Sequence, residues 1–196
     1  NDGIPDDLEC VVPSSVPTCN AANGAALTIW NSFSGGTATG TLTTNGGTAT
    51  VTANSTKSVV ALNNFIWGGP ANQCPTPPAV DPGNFNLSTN TNNYTITFTF
   101  SRPIANPRLQ SSSINTTINF PHPVRLLANS QGLTNNTMIS SIAYGGSEVP
   151  FTVMYQGVYT SITVTVPGAD NYGGWVIAAD NIQPMGTTTF IDTTIG

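Results

Sequence analysis

The sequence predicts an all-β fold: an antiparallel β-sandwich of jelly-roll or Ig-like form that follows an irregular N-terminal tail. Large apolar residues alternate with Thr and Ser over residues 94–101, the period of two of a strand with one buried face. Short runs rich in Thr, Val, Ile and aromatic residues recur between Gly, Pro and Asn turns. No segment combines helical periodicity with caps. We expect a tail over residues 1–22 and one domain over residues 23–196.

The expected strands are short and evenly spaced. Between the second and third, Thr44-Asn45-Gly46-Gly47 predicts a hairpin, because both central residues of a type I′ turn need a positive φ. Trp175–Ala179 is continuously apolar, which predicts a strand buried on both faces. In order, the expected strands are residues 25–33, 37–43, 48–53, 57–65, 94–101, 108–112, 116–120, 124–128, 138–144, 148–155, 159–166, 175–179 and 187–194.

Prolines are expected to delimit these strands, because proline cannot donate a ladder hydrogen bond. Turns at Pro103 and Pro107 should end the alternating strand, and Pro121-His122-Pro123 should separate residues 116–120 from 124–128. The proline-rich segment 66–92 should be irregular. Long irregular segments in compact domains are usually either functional or disordered.

The low charge excludes two classes of partner. Charged residues make up 7% of the chain, against about a quarter in typical domains. The four cations are Lys57, Arg102, Arg108 and Arg125, too few to neutralise nucleic-acid phosphates or to form a polybasic membrane patch. No apolar run approaches the roughly 20 residues of a membrane helix, so we expect no membrane insertion.

The composition favours a secreted, extracellular or cell-surface location. The chain has a Thr-rich, Lys-poor surface and begins without Met or a signal peptide, as a mature product or a fragment would. Cys10 and Cys19 flank a short loop and are the candidate disulfide pair; a bond from either one to Cys74 is the alternative.

Aromatic and acidic residues in two turns are the candidates for ligand binding. An indole offers a large apolar face with a polar edge, and sugar sites on β-sandwiches commonly surround such a platform with amides and acids. The alternative for Trp175 is a position in the core. Asp170, Asn171 and Asp180 are also candidate ligands of a structural calcium ion. The candidate ligand-binding residues are Trp67, Asp170, Asn171, Tyr172 and Trp175.

No catalytic arrangement is visible, and we expect a protein that is not an enzyme. His122 is the sole histidine and lies between two prolines, as an exposed or hydrogen-bonded loop residue would. The carboxylates of the body lie in turns, without the spacing of a glycosidase pair.

Residues 1–9, Asn-Asp-Gly-Ile-Pro-Asp-Asp-Leu-Glu, resemble the second half of a thrombospondin type 3 calcium repeat. The resemblance implies that Asp2, Asp6 and Glu9 are calcium ligands in positions five, nine and twelve of the loop, with Gly3 in position six. Positions one and three would precede residue 1. The alternative is an acidic linker.

The segment Phe98–Leu109, a strand followed by Ser-Arg-Pro-Ile-Ala-Asn-Pro-Arg-Leu, resembles secreted bacterial surface and adhesin-like β-sandwich modules. Such modules often continue with segments like Gly157–Val166 and Gly174–Ala178, so the resemblance covers about residues 23–190. It implies secretion and surface display.

Three functions follow in order of preference. The first is a non-enzymatic extracellular module for adhesion that binds a glycan or another cell-surface ligand. The second is a structural subunit of an extracellular filament or sheath, in which copies of the chain pair by strand addition through residues 10–22 or 187–196. The third is a glycan hydrolase. Calcium is the one cofactor expected.

Overall fold

The computed structural model describes residues 26–62, 84–86, 93–129, 137–143, 149–168 and 174–182. These residues form antiparallel strands joined by turns, with no helix among them, so the predicted all-β antiparallel sandwich is confirmed. In the same ranges no helix has the length and apolarity that a bilayer crossing would require.

Fourteen strands make up most of the described residues. They are β1 (Ala26–Leu27), β2 (Ile29–Ser34), β3 (Thr37–Thr44), β4 (Gly47–Ser55), β5 (Val60–Leu62), β6 (Asn84–Asn86), β7 (Tyr94–Ala105), β8 (Arg108–Ile114), β9 (Ile118–Asn129), β10 (Thr137–Ile142), β11 (Val149–Met154), β12 (Val158–Val166), β13 (Gly174–Ala179) and β14 (Asn181–Ile182).

The strands form one continuous hydrogen-bonded path that folds back on itself. Its order is β2-β3-β4-β7-β12-β9-β11-β8-β13-β6-β5, and β1, β10 and β14 pair with β13, β9 and β7. We call β2, β3, β4, β7 and β12 layer one, and the rest of the path, from β9 to β5, layer two. β13 lies against β3, and β5 and β6 approach β2, so the two layers face each other across the core.

The alternation of β7 places its large side chains in that core. Tyr94, Ile96, Phe98 and Phe100 are all at most 4% exposed, and the Thr and Ser residues between them face outward. Trp30 of β2 packs on Phe98 with ring centroids 6.4 Å apart. β13 is buried at every position, which confirms the strand predicted to be buried on both faces.

Two predicted strand boundaries at prolines are wrong. β7 runs through Pro103 to Ala105, because the register of β12 shifts there: Ser161 pairs with Thr99, and Tyr159 pairs with Ile104. Pro103 thus lies in a bulge, where no ladder donor is needed. The predicted turn at Pro107 does separate β7 from β8.

β9 likewise runs through Pro121-His122-Pro123, so residues 116–120 and 124–128 do not form separate strands. The prolines lie where β9 changes its partner. Asn119 pairs with Thr165 in layer one, and Leu126 pairs with Val153 in layer two. β9 is therefore a corner strand that joins the layers, and a bend at such a corner tolerates proline.

Two smaller differences between the predicted and the observed strands occur at the edge of layer two. Of the strand expected over residues 57–65, residues 57–59 are not strand and β5 covers Val60–Leu62; residues 63–65 lie outside the described ranges. The segment 66–92, expected to be irregular, contains the three-residue strand β6 (Asn84–Asn86), which follows Pro82 and pairs with β5 and β13. The strand expected over residues 187–194 lies outside the described residues.

Candidate functional site

Most residues proposed from the sequence as ligands lie outside the described ranges, and those proposals stay predictions. They are Asp2, Asp6, Glu9, Trp67, Asp170, Asn171 and Tyr172, together with the candidate disulfide pair Cys10 and Cys19. Trp175 and Asp180 are described.

Trp175 lies in the core, as the alternative interpretation of this residue predicts. It is 0% exposed, and its ring packs edge-on against Phe151 with centroids 6.1 Å apart. Its carbonyl accepts a hydrogen bond of 3.3 Å from Nε1 of Trp30. The Trp175 indole is therefore part of the core and presents no face to solvent, and the bond from Trp30 to the Trp175 backbone joins the two layers.

Asp180 forms an ion pair with the side chain of Arg108. Its carboxylate accepts a hydrogen bond from Nη2 of Arg108, which is 1% exposed. Burial lowers the pKa of Arg108, and the negative charge of Asp180 opposes that shift. No group of three His, Cys, Asp or Glu side chains suited to a metal occurs among the described residues. The candidate partner Asp170 lies outside them, so a calcium site at Asp180 stays a prediction.

A groove opens at the corner where β9 leaves β12. The pair Asn119–Thr165 places Pro121 level with Thr163 on the facing strand. Since Pro121 has no N–H, it cannot donate to the carbonyl of Thr163. The hydroxyl of Tyr155 donates to that carbonyl instead, at 2.9 Å. The two strands separate at this point.

We call this opening the corner groove. It has a volume of about 200 Å³ and is lined by Pro121, His122, Tyr155, Tyr159, Ser161, Ile162 and Thr163. His122 and Ser161 are exposed, whereas Tyr155 is 1% exposed and forms the floor. The groove is shallow and partly apolar, and it is small beside typical drug-sized pockets of about 300 Å³ or more.

Neighbouring groups hold both tyrosines in place. The rings of Tyr155 and Tyr159 meet edge-on with centroids 5.8 Å apart, and Tyr155 also packs edge-on against Phe120. The hydroxyl of Tyr159 donates to the carbonyl of Gln156 at 2.9 Å. Burial raises the pKa of Tyr155, with a further contribution from Tyr159, and burial also raises the pKa of Tyr159. Both phenols are therefore neutral at physiological pH.

This arrangement suits binding of a small neutral ligand that has apolar and hydroxyl surfaces. The Tyr159 ring and Pro121 supply apolar surface, and Ser161, Thr163 and His122 supply hydrogen-bonding groups. No Asp or Glu lines the corner groove among the described residues, so the groove offers no carboxylate pair for glycoside hydrolysis.

A second surface adjoins the corner groove. The outward residues of β3, β4, β7 and β12 are hydroxyl or amide residues at successive register positions. We call them the hydroxyl face: Thr37, Thr39, Thr41, Thr43, Thr48, Thr50, Thr52, Asn54, Thr95, Thr97, Thr99, Ser101, Ser161, Thr163 and Thr165.

Comparisons of the chain with protein-family models, with curated proteins and with solved structures found no match. The resemblances to thrombospondin type 3 repeats and adhesin-like modules therefore stay predictions.

The residues of the corner groove were not among the sequence candidates. The prediction that His122 is a loop residue is wrong, because His122 lies within β9. One signal was present: two prolines spaced by one residue inside a run of otherwise strand-forming residues. Such a pair of prolines indicates an interrupted ladder of hydrogen bonds. Which neighbouring strand loses its bonds depends on pairing between residues far apart in the chain.

Proposed function

We propose that the protein is a non-enzymatic extracellular surface module that binds a neutral glycan in the corner groove. The observation that carries the proposal is the groove itself, in which the Tyr159 ring lies beside the exposed Ser161. Sugars present apolar C–H faces and hydroxyl edges, and an aromatic ring with adjacent hydroxyls complements both. The Thr-rich, Lys-poor composition supports the extracellular location.

The low charge of the described residues that line the corner groove favours a neutral glycan. The phenols of Tyr155 and Tyr159 stay protonated, and no acidic or Lys or Arg side chain lines the groove among the described residues. An anionic sugar would lose its hydration without gaining an ion pair there. The groove volume of about 200 Å³ limits the buried part to one small unit.

A glycan array followed by calorimetry tests the proposal. We expect a neutral glycan to bind, and Tyr159→Ala to weaken binding at least about tenfold because the stacking surface is lost. Tyr159→Phe keeps the ring and should bind within a few-fold of the parent. Val158→Ala, at an adjacent exposed position, is the control. If the array shows no neutral glycan, or if Tyr159→Ala binds like the parent, the proposal is wrong.

A structural subunit that assembles by strand addition is the second candidate, and β10 favours it. Among the described strands β10 pairs only with β9, and its sequence Thr-Met-Ile-Ser-Ser-Ile carries no charge or proline. Met138 on this edge is 47% exposed. Uncharged edges of this kind can pair with further copies.

Light scattering separates the two candidates. A filament subunit should form large assemblies that Met138→Lys prevents, because a charge on an edge strand opposes pairing. Val158→Lys, at a position also 47% exposed, is the matched control. A chain that stays monomeric at high concentration would eliminate this candidate.

A further inference from the structure

The hydroxyl face is organised in rows that cross four strands. Residues on β3, β4, β7 and β12 that pair in register lie side by side, so each row is perpendicular to the strands. With about 4.8 Å between neighbouring strands, a row of four positions spans about 14 Å. The two central rows are Thr37–Asn54–Thr97–Thr163 and Thr39–Thr52–Thr99–Ser161.

Several side chains of the hydroxyl face are ordered by hydrogen bonds to each other. The hydroxyls of Thr97 and Thr163 are 3.1 Å apart, and those of Thr95 and Thr165 are 3.2 Å apart. Thr37 donates to Asn54 Oδ1 at 3.1 Å. A hydroxyl that already has one partner retains capacity for another, so these pairs offer donors and acceptors at fixed positions.

The hydroxyl face contains no charged residue. Solvated sheet faces commonly carry Lys and Glu, which also keep proteins apart in solution. Arg102 lies at one end, where its Nη2 donates to the carbonyl of Gly46 at 3.4 Å in the β3–β4 turn. A surface of this kind matches an uncharged, hydroxylated partner and repels neither sign of charge.

The hydroxyl face is continuous with the corner groove. Ser161 and Thr163 line the groove and also end the two central rows. A chain molecule with one unit in the groove would therefore extend over the rows toward β3.

We infer that the hydroxyl face is an extended binding surface for a linear neutral polysaccharide, of which one sugar occupies the corner groove. This inference rests on the proposed function and adds the substrate class: the interior of a long neutral chain, rather than a single terminal sugar. The groove supplies stacking, and the rows supply repeated hydrogen bonds to successive sugars.

Affinity as a function of oligosaccharide length tests the inference. The probes are cello-, manno- and xylo-oligosaccharides of two and six sugars, measured by calorimetry. In the series that binds, we expect the hexamer to bind at least about tenfold more tightly than the dimer. Thr52→Val with Thr99→Val removes two hydroxyls of one row while keeping β-branched shape, and should bring the hexamer close to the affinity of the dimer. The dimer should bind as before.

The control is Ser140→Ala, which removes an exposed hydroxyl at the register irregularity of β10, a strand that contributes no residue to the hydroxyl face. If dimer and hexamer bind equally, or if the Thr52 and Thr99 substitutions leave hexamer affinity unchanged, the inference is overturned while the groove proposal stands. If no series binds at either length, the inference is overturned, and the glycan array decides the groove proposal separately. The protein could also form a dimer that the Thr52 and Thr99 substitutions abolish. That result would show that the hydroxyl face binds a second copy of the chain, and it would overturn the inference.

Discussion

Arg108 and Asp180 form an ion pair that connects two of the places where the chain crosses between layers. Arg108 begins β8 just after the β7–β8 turn, and Asp180 lies between β13 and β14. Ala178 pairs with Arg108 in layer two, and Asn181 pairs with Ala105 in layer one. The guanidinium is 2% exposed and the carboxylate 43% exposed, so the pair neutralises a buried charge with an acid at the surface.

Removing this acid should destabilise the fold. In Asp180→Asn the buried guanidinium loses its counter-charge. We expect the free energy of unfolding to decrease by about 2–3 kcal/mol. This is at the low end for a buried ion pair because Asp180 is partly solvated. Urea unfolding followed by tryptophan fluorescence measures the change. The comparison variant is Arg102→Gln, which removes a partly exposed cation and should lower the free energy of unfolding by less than about 1 kcal/mol. Equal losses in the two variants would contradict the role assigned to the pair.

Alkaline pH should destabilise the protein through its tyrosines. The pKa values of Tyr155 and Tyr159 are raised in the folded state, so the unfolded chain releases their protons first as pH rises. Stability should therefore be unaffected below pH about 10 and decrease above it. Unfolding midpoints between pH 7 and 11, with phenolate absorbance in parallel, measure this behaviour.

Tyr155→Phe provides the test of that assignment. It removes the hydroxyl bound to Thr163 and should cost about 1 kcal/mol at neutral pH while making the alkaline decrease shallower. A decrease that is as steep as in the parent would assign the alkaline transition to other groups.

Pro121 should keep β9 and β12 apart. Pro121→Ala restores an N–H opposite Thr163, which allows the ladder to extend and the corner groove to narrow. We expect glycan affinity to fall about tenfold with little loss of stability. Hydrogen exchange at residue 121 should be slow if the new amide is bonded. A rapidly exchanging amide together with unchanged affinity would show that the proline does not maintain the groove.

Gly40 should be intolerant of a side chain for reasons of space. A Cβ there would lie 2.6 Å from Cγ2 of Thr28 and 2.7 Å from the carbonyl oxygen of Ile29. Gly40→Ala should therefore cost about 2–3 kcal/mol. Gly35→Ala has open space but a φ of 56°, and should cost about 1 kcal/mol. Thermal unfolding of both variants measures the difference, and a reversed order would contradict the packing around β3.

The alternating pattern was sufficient to predict the fold class and part of the core. Tyr94, Ile96 and Phe98 are buried as expected, because the period of two is a local property of an extended chain. The prediction that Pro103 and Pro121 end strands is wrong because strand pairing is not a local property of the chain. Whether Pro103 or Pro121 interrupts a strand depends on the register of a partner strand some 40 to 60 residues away.

Composition and alternation are properties of the chain alone, and they predict a β-sandwich of low charge with Thr and Ser on its outward positions. The tertiary structure establishes what those residues face. It buried the Trp175 indole, paired Arg108 with Asp180 across 72 positions, and brought Tyr155 to the carbonyl of Thr163 beside the proline corner. These contacts depend on which strands become neighbours, and that choice is made by packing of the whole core rather than by local preference.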